Sequence, residues 1–353
     1  MKKRKYNVCV VGVGAVGEEM LKVLKYRKFP IEKLSVLARS ERDITVDGAL
    51  YQVKAITPES FENVDIALFA GTEGEKGAAV TYAAEAVKRG CIVIDNGADF
   101  RMQEDVPLVV PEINKKDLKN HKGIIANPNC STIQMVAAIF PIHKRTKIKR
   151  IIVTTFQSAS GAGRAAVTQL FNETNRIVEN QKAGIENIAL DLSYSTPLAL
   201  PGQIAFNVIP HIGGFGEDDY TSEEWKMVHE THKIMHTDKI KISATCVRVP
   251  VTVGHAEAVY IETKKELPVE EVRQIITDAP GLVLIDNITE GKYPVPLNAA
   301  NDDQVYIGRI RRDPYIKGGM WLWVVADNLR KGAATNAVQI AEALVKMKLV
   351  RIN

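Results

Sequence analysis

Residues 6–27, YNVCVVGVGAVGEEMLKVLKYR, hold the reading on which the fold turns. YNVCVV is apolar and rich in β-branched residues, EEMLKVLK carries apolar residues at helical spacing, and Gly12, Gly14 and Gly17 stand between them. Directly after a strand and at the start of a helix, GVGAVG allows a tight turn and brings backbone amides close to a pyrophosphate at the helix N-terminus. The same glycines could also form a turn with no ligand, so the surrounding pattern decides.

That pattern repeats. LSVLAR, VDIALFA, CIVIDN and GIIANPN read as buried parallel strands, and EKGAAVTYAAEAVKRG and STIQMVAAIFPIH read as helices between or after them. Alternating β and α segments predict a Rossmann-like, doubly wound parallel sheet of the α/β class, with ligands beyond the carboxyl ends of its strands. From about Lys147 the texture changes to longer strand candidates, IKRIIVTTFQSAS, KISATCVRVPV, HAEAVYIET, DQVYIGRIRRD and GGMWLWVVADN. These predict a second domain of α+β type on a mixed or antiparallel sheet. The final AATNAVQIAEALVKMKLV reads as an amphipathic helix able to pack on either domain. Two domains also suit 353 residues, a length beyond what one hydrophobic core usually fills.

Composition narrows the partners. A net charge of +4 is small for this length, and the basic residues are scattered apart from MKKRK at the start, which reads as a solvated terminus. No nucleic acid is implied. No apolar run reaches the roughly 18 residues of a spanning helix, and no cleavable signal precedes YNVCVVG, so a cytoplasmic protein without a membrane is expected. Cys9, Cys91, Cys130 and Cys246 show no CxxC spacing, which suggests neither a disulfide framework nor a metal site.

At the end of the second strand, where an acidic residue would take the ribose 2′-hydroxyl of NAD, the chain reads LARSER. Arg39 and Ser40 offer a cation and a hydroxyl suited to a 2′-phosphate, which points to NADP. The alternative is a solvated loop arginine. Cys130 differs from the other cysteines in its setting: Pro128 and Asn129 break a strand, and Ser131 and Thr132 open a helix whose amide dipoles favour a thiolate. Position alone leaves packing and catalysis both open. His255 in RVPVTVGHAEAVY is the available base, and Arg248 lies seven residues earlier, an offset that puts the two on opposite faces of an unbroken strand. Pro250 and Gly254 allow a kink or bulge that would turn both toward one cleft. Arg101 and Arg248 stand in apolar or turn-like surroundings, where a guanidinium wants a carboxylate or phosphate; surface ion pairs are the plainer alternative.

GVGAVG, ARS, DNGADFRM with VPLVVPEIN, NPNCSTIQM, TTFQSASGAG, IAFNVIPHI, EEWKMVHET, CVRVPVTVGHAEAVYIET and ADNLRKGAATNA follow one another over nearly the whole chain. Taken together they resemble the bacterial aspartate-β-semialdehyde dehydrogenases. That resemblance implies NADPH-dependent reduction of L-4-aspartyl phosphate to L-aspartate 4-semialdehyde and inorganic phosphate, on the route to lysine, threonine, methionine and diaminopimelate. It implies Cys130 as nucleophile, His255 as general acid/base, Gln157 as the residue orienting the acyl group, and Asn129 beside the nucleophile helping to place the phosphate. Arg248 would grip the α-carboxylate, Glu223 face the amino group, and Arg101 and Lys226 bind the phosphate. NADP contacts would fall on Gly12, Val13, Gly14, Ala15, Val16, Gly17, Arg39, Ser40, Ser160, Gly161 and Asn328. It further implies an NADP-binding domain over 1–130, completed by a C-terminal helix over 331–353, a catalytic and dimerisation domain over 131–330, and homodimers that can pair into tetramers.

The chain departs from the family pattern twice. GVGAVG replaces GATGAVG and lacks its threonine hydroxyl, which limits Val13 to a backbone contact, and DNGADFRM replaces DNSSAFRM, setting Asp99 two residues from Arg101 as a possible pairing carboxylate. N-acetyl-γ-glutamyl-phosphate reductases and CoA-dependent malonyl-CoA reductases share the cysteine and histidine chemistry. The first has no use for a carboxylate like Glu223, and the second none for Arg101 and Lys226 as phosphate ligands. A non-catalytic homologue is the alternative of a different class, against which Cys130, Gln157, Arg248 and His255 stand together.

Overall fold

The first seven strands are β1 (Tyr6–Val11), β2 (Ile31–Ala38), β3 (Arg42–Val46), β4 (Ala49–Ala55), β5 (Ile66–Phe69), β6 (Ile92–Asp95) and β7 (Ile124–Ala126). They form one sheet in the order β3-β4-β2-β1-β5-β6-β7, parallel except where β3 meets β4. Alternation along the strands divides its two faces. Val8 and Val10 of β1 and Ile66 and Leu68 of β5 join one buried cluster, while Cys9, Val11, Ala67 and Phe69 join the other. Helices Ala15–Tyr26 and Thr335–Lys346 cover the first face with Met20, Leu24, Val338 and Leu344. Helix Ala78–Lys88 covers the second with Ala79, Ala83 and Ala86. The chain leaves β1 on one side for β2 and on the other for β5, so the strand order reverses at the carboxyl end of β1, where Gly12 lies.

The computed structural model describes residues 4–71, 77–185, 188–190 and 198–350, which cluster into two units. One unit comprises 1–133, 230–236 and 329–353, and the other 134–229 and 237–328. Residues 1–3 of MKKRK, 75 and 76 of the EKGAAVTYAAEAVKRG segment, and 351–353 at the end of the C-terminal segment lie outside the described residues.

The second unit is built on β8 (Ile148–Gln157), β9 (Lys241–Arg248), β10 (His255–Thr263), β11 (Leu282–Leu284), β12 (Val305–Arg312) and β13 (Gly319–Ala326). Their order is β11-β12-β13-β10-β8-β9, with β8/β9 and β11/β12 parallel and the remaining pairs antiparallel, a mixed sheet as expected. In β8, Ile151, Val153, Thr155 and Gln157 are buried and the residues between them half-buried. The half-buried face carries aromatic pairs, Phe156 with Trp323 at 5.5 Å and Tyr260 with Trp321 at 5.0 Å between ring centres. Sequence reading missed the β3–β4 hairpin and the short β11. Among the described residues no helix is long and apolar enough to cross a membrane.

Candidate active site

Burial separates the four cysteines. Cys9, Cys91 and Cys246 are buried, and burial is the first cause pushing each thiol up, away from reactive thiolate. Cys130 is partly exposed. It is the first residue of helix Cys130–Arg145, and Asn129 caps that helix: its Oδ1 accepts the N–H groups of Ser131 at 3.0 Å and Thr132 at 3.2 Å. The thiol therefore sits where first-turn amides present partial positive charge.

The residues ahead of Cys130 are held by a buried ion pair within the first unit. Arg101 is 5% exposed, and its Nε donates to the Asn127 carbonyl at 3.0 Å, Nη2 to the Asn96 carbonyl at 2.9 Å and Nη1 to Glu230 Oε1 at 2.9 Å. Glu230 Oε2 accepts the backbone N–H of Asn129 at 2.7 Å. One carboxylate thus ties the arginine to the residue preceding the cysteine. Sequence reading offers Asp99 as an acid able to pair with Arg101; the structure adds Glu230 as a partner, a residue whose only signal was its place in EEWKMVHET. Lys233, three residues further along helix Ser222–Ile234, donates to the carbonyls of Arg101, Gln103 and Val106 at 2.7, 2.7 and 2.8 Å, which fixes the turn after Arg101.

The second unit gathers the other candidates at one end of its sheet. The kink expected between Arg248 and His255 is not how they meet. Arg248 closes β9, His255 opens β10, and β8 runs between those strands. The crossing segment is pinned to the end of β8, with the Val249 N–H on the Gln157 carbonyl at 2.9 Å and the Ala159 N–H on the Val251 carbonyl at 2.8 Å. Gly161 leaves room where the two side chains approach: a Cβ there would stand 2.8 Å from Arg248 Nη1 and 3.0 Å from His255 Cε1. Gln157 Nε2 donates to Glu223 Oε1 at 3.0 Å, Glu223 Oε2 lies 3.5 Å from Lys226 Nζ, and Arg248 Nη1 donates to the Ser158 carbonyl at 2.8 Å.

His255 is fully buried and held by neutral groups. Its Nδ1 lies 3.1 Å from both the backbone nitrogen and the Oγ of Ser158. Asn328 Oδ1 accepts from the Gly254 N–H at 2.9 Å, Ser158 Oγ at 3.0 Å and Ser160 Oγ at 3.2 Å. Burial first, and then the Arg248 charge, push the imidazole pKa down to about 3, against a smaller pull from Glu223. Ser158 was not singled out in the sequence. Behind this cluster, Glu257 stands opposite Thr155 in the β8/β10 register, and burial pushes its carboxyl well above the usual range, with Gln134 opposing.

At the end of β1, Gly12 adopts φ 96°, and a Cβ on Gly17 would come within 1.9 Å of the Gly12 carbonyl oxygen. The helix start packs directly on the turn. Gly14 precedes Ala15 at the head of helix Ala15–Tyr26 with no side-chain cap, an arrangement suited to an anion. Val13 is buried, and Val16 packs on the same core, so both offer backbone rather than side chain. The Gly12 N–H donates to the Leu37 carbonyl at 2.8 Å, which brings the chain out of β2 beside the turn; Arg39 and Ser40 follow, both exposed. Arg42 Nη1 donates to Ser40 Oγ at 3.1 Å, a second cation overlooked because its hairpin went unread.

Comparison with known proteins agrees along the chain. Residues 7–121 match the semialdehyde dehydrogenase NAD-binding domain and residues 139–331 the semialdehyde dehydrogenase dimerisation domain. The chain is 50% identical over 354 residues to the aspartate-semialdehyde dehydrogenase of Aquifex aeolicus, covering 98% of this chain and 99% of that one. It is similar to the crystal structure of aspartate semialdehyde dehydrogenase II from Vibrio cholerae complexed with ASA, with 42% identity, a TM-score of 0.88, and 98% and 99% of the two chains covered. A Candida albicans aspartate semialdehyde dehydrogenase solved with NADP shares the fold, at 23% identity and a TM-score of 0.71, over 99% of this chain and 100% of that one.

Proposed function

The chain belongs to the aspartate-semialdehyde dehydrogenase family, and we propose from that premise that it reduces L-4-aspartyl phosphate with NADPH to L-aspartate 4-semialdehyde and phosphate through a thioester on Cys130. The observation that carries this reading is the contrast among its cysteines: Cys130 is partly exposed at the head of a capped helix, and the other three are buried.

The thiolate of Cys130 attacks the acyl-phosphate carbonyl; a C–S bond forms, the C–O bond to phosphate breaks, and phosphate leaves with that electron pair. NADPH, when bound, supplies the hydride that reduces the thioester. His255 handles one proton at Nε2, giving it to the thiohemiacetal oxygen in the reductive direction and removing it in reverse. As that adduct collapses, its hydroxyl proton returns to His255 Nε2, the C–S bond breaks, the aldehyde leaves and the thiolate is restored. Arg248 and Glu223 present a guanidinium and a carboxylate from one cluster, the pair of charges that recognises an α-amino acid. Gln157 orients the acyl group from the same cluster. Asn129, Arg101 and Lys226 serve the phosphate, with Arg101 also bracing residues 127–129. Glu223 favours a free ammonium over an acylated one, and so the aspartate substrate over an N-acetylated analogue.

The nucleotide fits the glycine turn, whose bare backbone and uncapped helix suit a pyrophosphate. Arg39 and Ser40, with Arg42 bonded to Ser40, suit the 2′-phosphate of NADP, and Ser160, Gly161 and Asn328 are proposed as further NADP contacts. Residues 1–130 with 331–353 carry the nucleotide role in this reading, and 131–330 carry catalysis and dimerisation. The half-buried aromatic face of the second sheet is the proposed homodimer surface, and pairs of dimers would make a tetramer. The reaction belongs to the cytoplasmic route to lysine, threonine, methionine and diaminopimelate.

Run in reverse with L-aspartate 4-semialdehyde and NADP, the protein turns over to form NADPH beyond one equivalent per active site only when phosphate is present, and Cys130→Ala forms none. Equal rates without phosphate, or an active Cys130→Ala variant, contradict the reading.

A further inference from the structure

We propose that Ser158 is a positioning residue for His255, its backbone N–H serving one protonation pattern of the ring and its hydroxyl the other. The inference rests on the role given to His255 above and extends it to a residue next to Gln157.

Both Ser158 groups lie 3.1 Å from the same ring nitrogen, Nδ1. A backbone N–H can only donate, so when it bonds Nδ1 the ring must present a lone pair there and carry its proton on Nε2. That tautomer cannot accept a proton at Nε2, and giving one up would leave an imidazolate. Acid and base work at Nε2 therefore needs a proton held on Nδ1, and Nδ1–H needs an acceptor. Ser158 Oγ is in place to accept it. Its own hydrogen then goes to Asn328 Oδ1 at 3.0 Å, an oxygen already fixed by the Gly254 N–H at 2.9 Å. The chain reads His255 Nδ1–H to Ser158 Oγ–H to Asn328 Oδ1.

With Nδ1–H resting on Ser158 Oγ throughout, the imidazolium gives its Nε2 proton to the substrate oxygen and becomes the neutral Nδ1–H ring; the reverse reaction returns that proton to Nε2. With the hydroxyl turned away, the ring reverts to the Nε2–H tautomer held by the backbone. The charged groups facing His255 are Arg248, which opposes imidazolium, and Glu223, which supports it. Neither reaches Nδ1 in place of Ser158 among the hydrogen bonds formed. Because the two partners of Nδ1 come from one residue, removing the hydroxyl leaves the backbone donor and so strands the ring in its inactive tautomer.

The test uses the full-length protein, with wild type, Ser158→Ala, Ser158→Thr and His255→Ala assayed for NADP reduction by L-aspartate 4-semialdehyde and phosphate. His255 is followed by 15N NMR of histidine-labelled protein. Ser158→Ala is expected to lower kcat about 10- to 100-fold with KM little changed, a loss no greater than the low end of the roughly 100- to 10,000-fold attributed to acid–base catalysis. Its His255 nitrogen shifts should report Nε2–H across the pH range. Ser158→Thr, which keeps the hydroxyl, should recover most of kcat. A folded Ser158→Ala enzyme with wild-type kcat and the same tautomer balance overturns the inference. So does a Ser158→Thr variant as slow as Ser158→Ala. Wild type inert with this substrate, or His255→Ala at full activity, would instead break the function proposed above.

Discussion

The chain braces its nucleophile and its histidine in different ways. Ahead of Cys130, residues 127–129 are fixed by ionised groups, Arg101 and Glu230, whose side chains are 6% and 1% exposed. Around His255 the bracing comes from dipoles: a backbone N–H, two serine hydroxyls and the Asn328 amide. The difference follows from what each residue must do. A cysteine that leaves and re-forms a carbon–sulfur bond tolerates fixed charge that rigidifies its loop. A histidine that must gain and lose a proton is better served by groups that can reverse direction as hydroxyls do, with little fixed charge to lock one state.

Breaking the ionic side should have the largest effect. Glu230→Ala takes the Glu230 carboxylate from buried Arg101, and urea titration should show a loss of about 3–5 kcal/mol, the usual consequence of breaking a buried ion pair from one side. The double variant Arg101→Met/Glu230→Leu should recover much of that loss, since both members of the buried pair are then removed. A single-variant loss near zero would erase the contrast. On the neutral side, Asn328→Ala strands the Gly254 N–H and removes a partner of two hydroxyls, and the same titration should show about 1–3 kcal/mol.

Two smaller effects sharpen the comparison through pH. His255 has its pKa depressed from 6.5 to about 3, so the unfolded chain binds a proton that the folded one does not, and stability drains as pH falls through that window. His255→Gln should therefore gain on wild type in melting temperature between pH 7 and pH 4. Glu257 is shifted the other way, its pKa raised by burial from 4.5, so its contribution is full below that value and is lost as pH rises. Glu257→Gln should gain on wild type between pH 5 and pH 8. Differences that stay flat with pH, or slope together, would show that neither group is held neutral.

Much of this was legible beforehand because it is local. The glycine turn, the alternating first half, the long strands after residue 147 and the helix headed by Cys130 each announce themselves within some twenty residues. The β3–β4 hairpin was equally local and was missed: Asp47 and Gly48, with φ 49° and 73°, form a two-residue Asp-Gly turn between apolar runs, a recognised hairpin signal. Other features were not local. Glu230 is one of 42 acidic residues, and nothing near it in the chain distinguishes a partner for a residue 129 positions away. The meeting of Arg248 and His255 depends on β8 lying between β9 and β10, which strand order alone sets and spacing cannot show. Ser158 reads as an ordinary strand-end serine until the histidine ring is placed beside it.

The most direct test of the central claim is intact-protein and peptide mass spectrometry after mixing the enzyme with L-aspartate 4-semialdehyde and NADP in the absence of phosphate. Without phosphate to release the acyl group, one burst of NADPH per active site and an aspartyl adduct mapped to Cys130 are expected. An adduct on Cys9, Cys91 or Cys246, or continued turnover with no adduct, would contradict that claim.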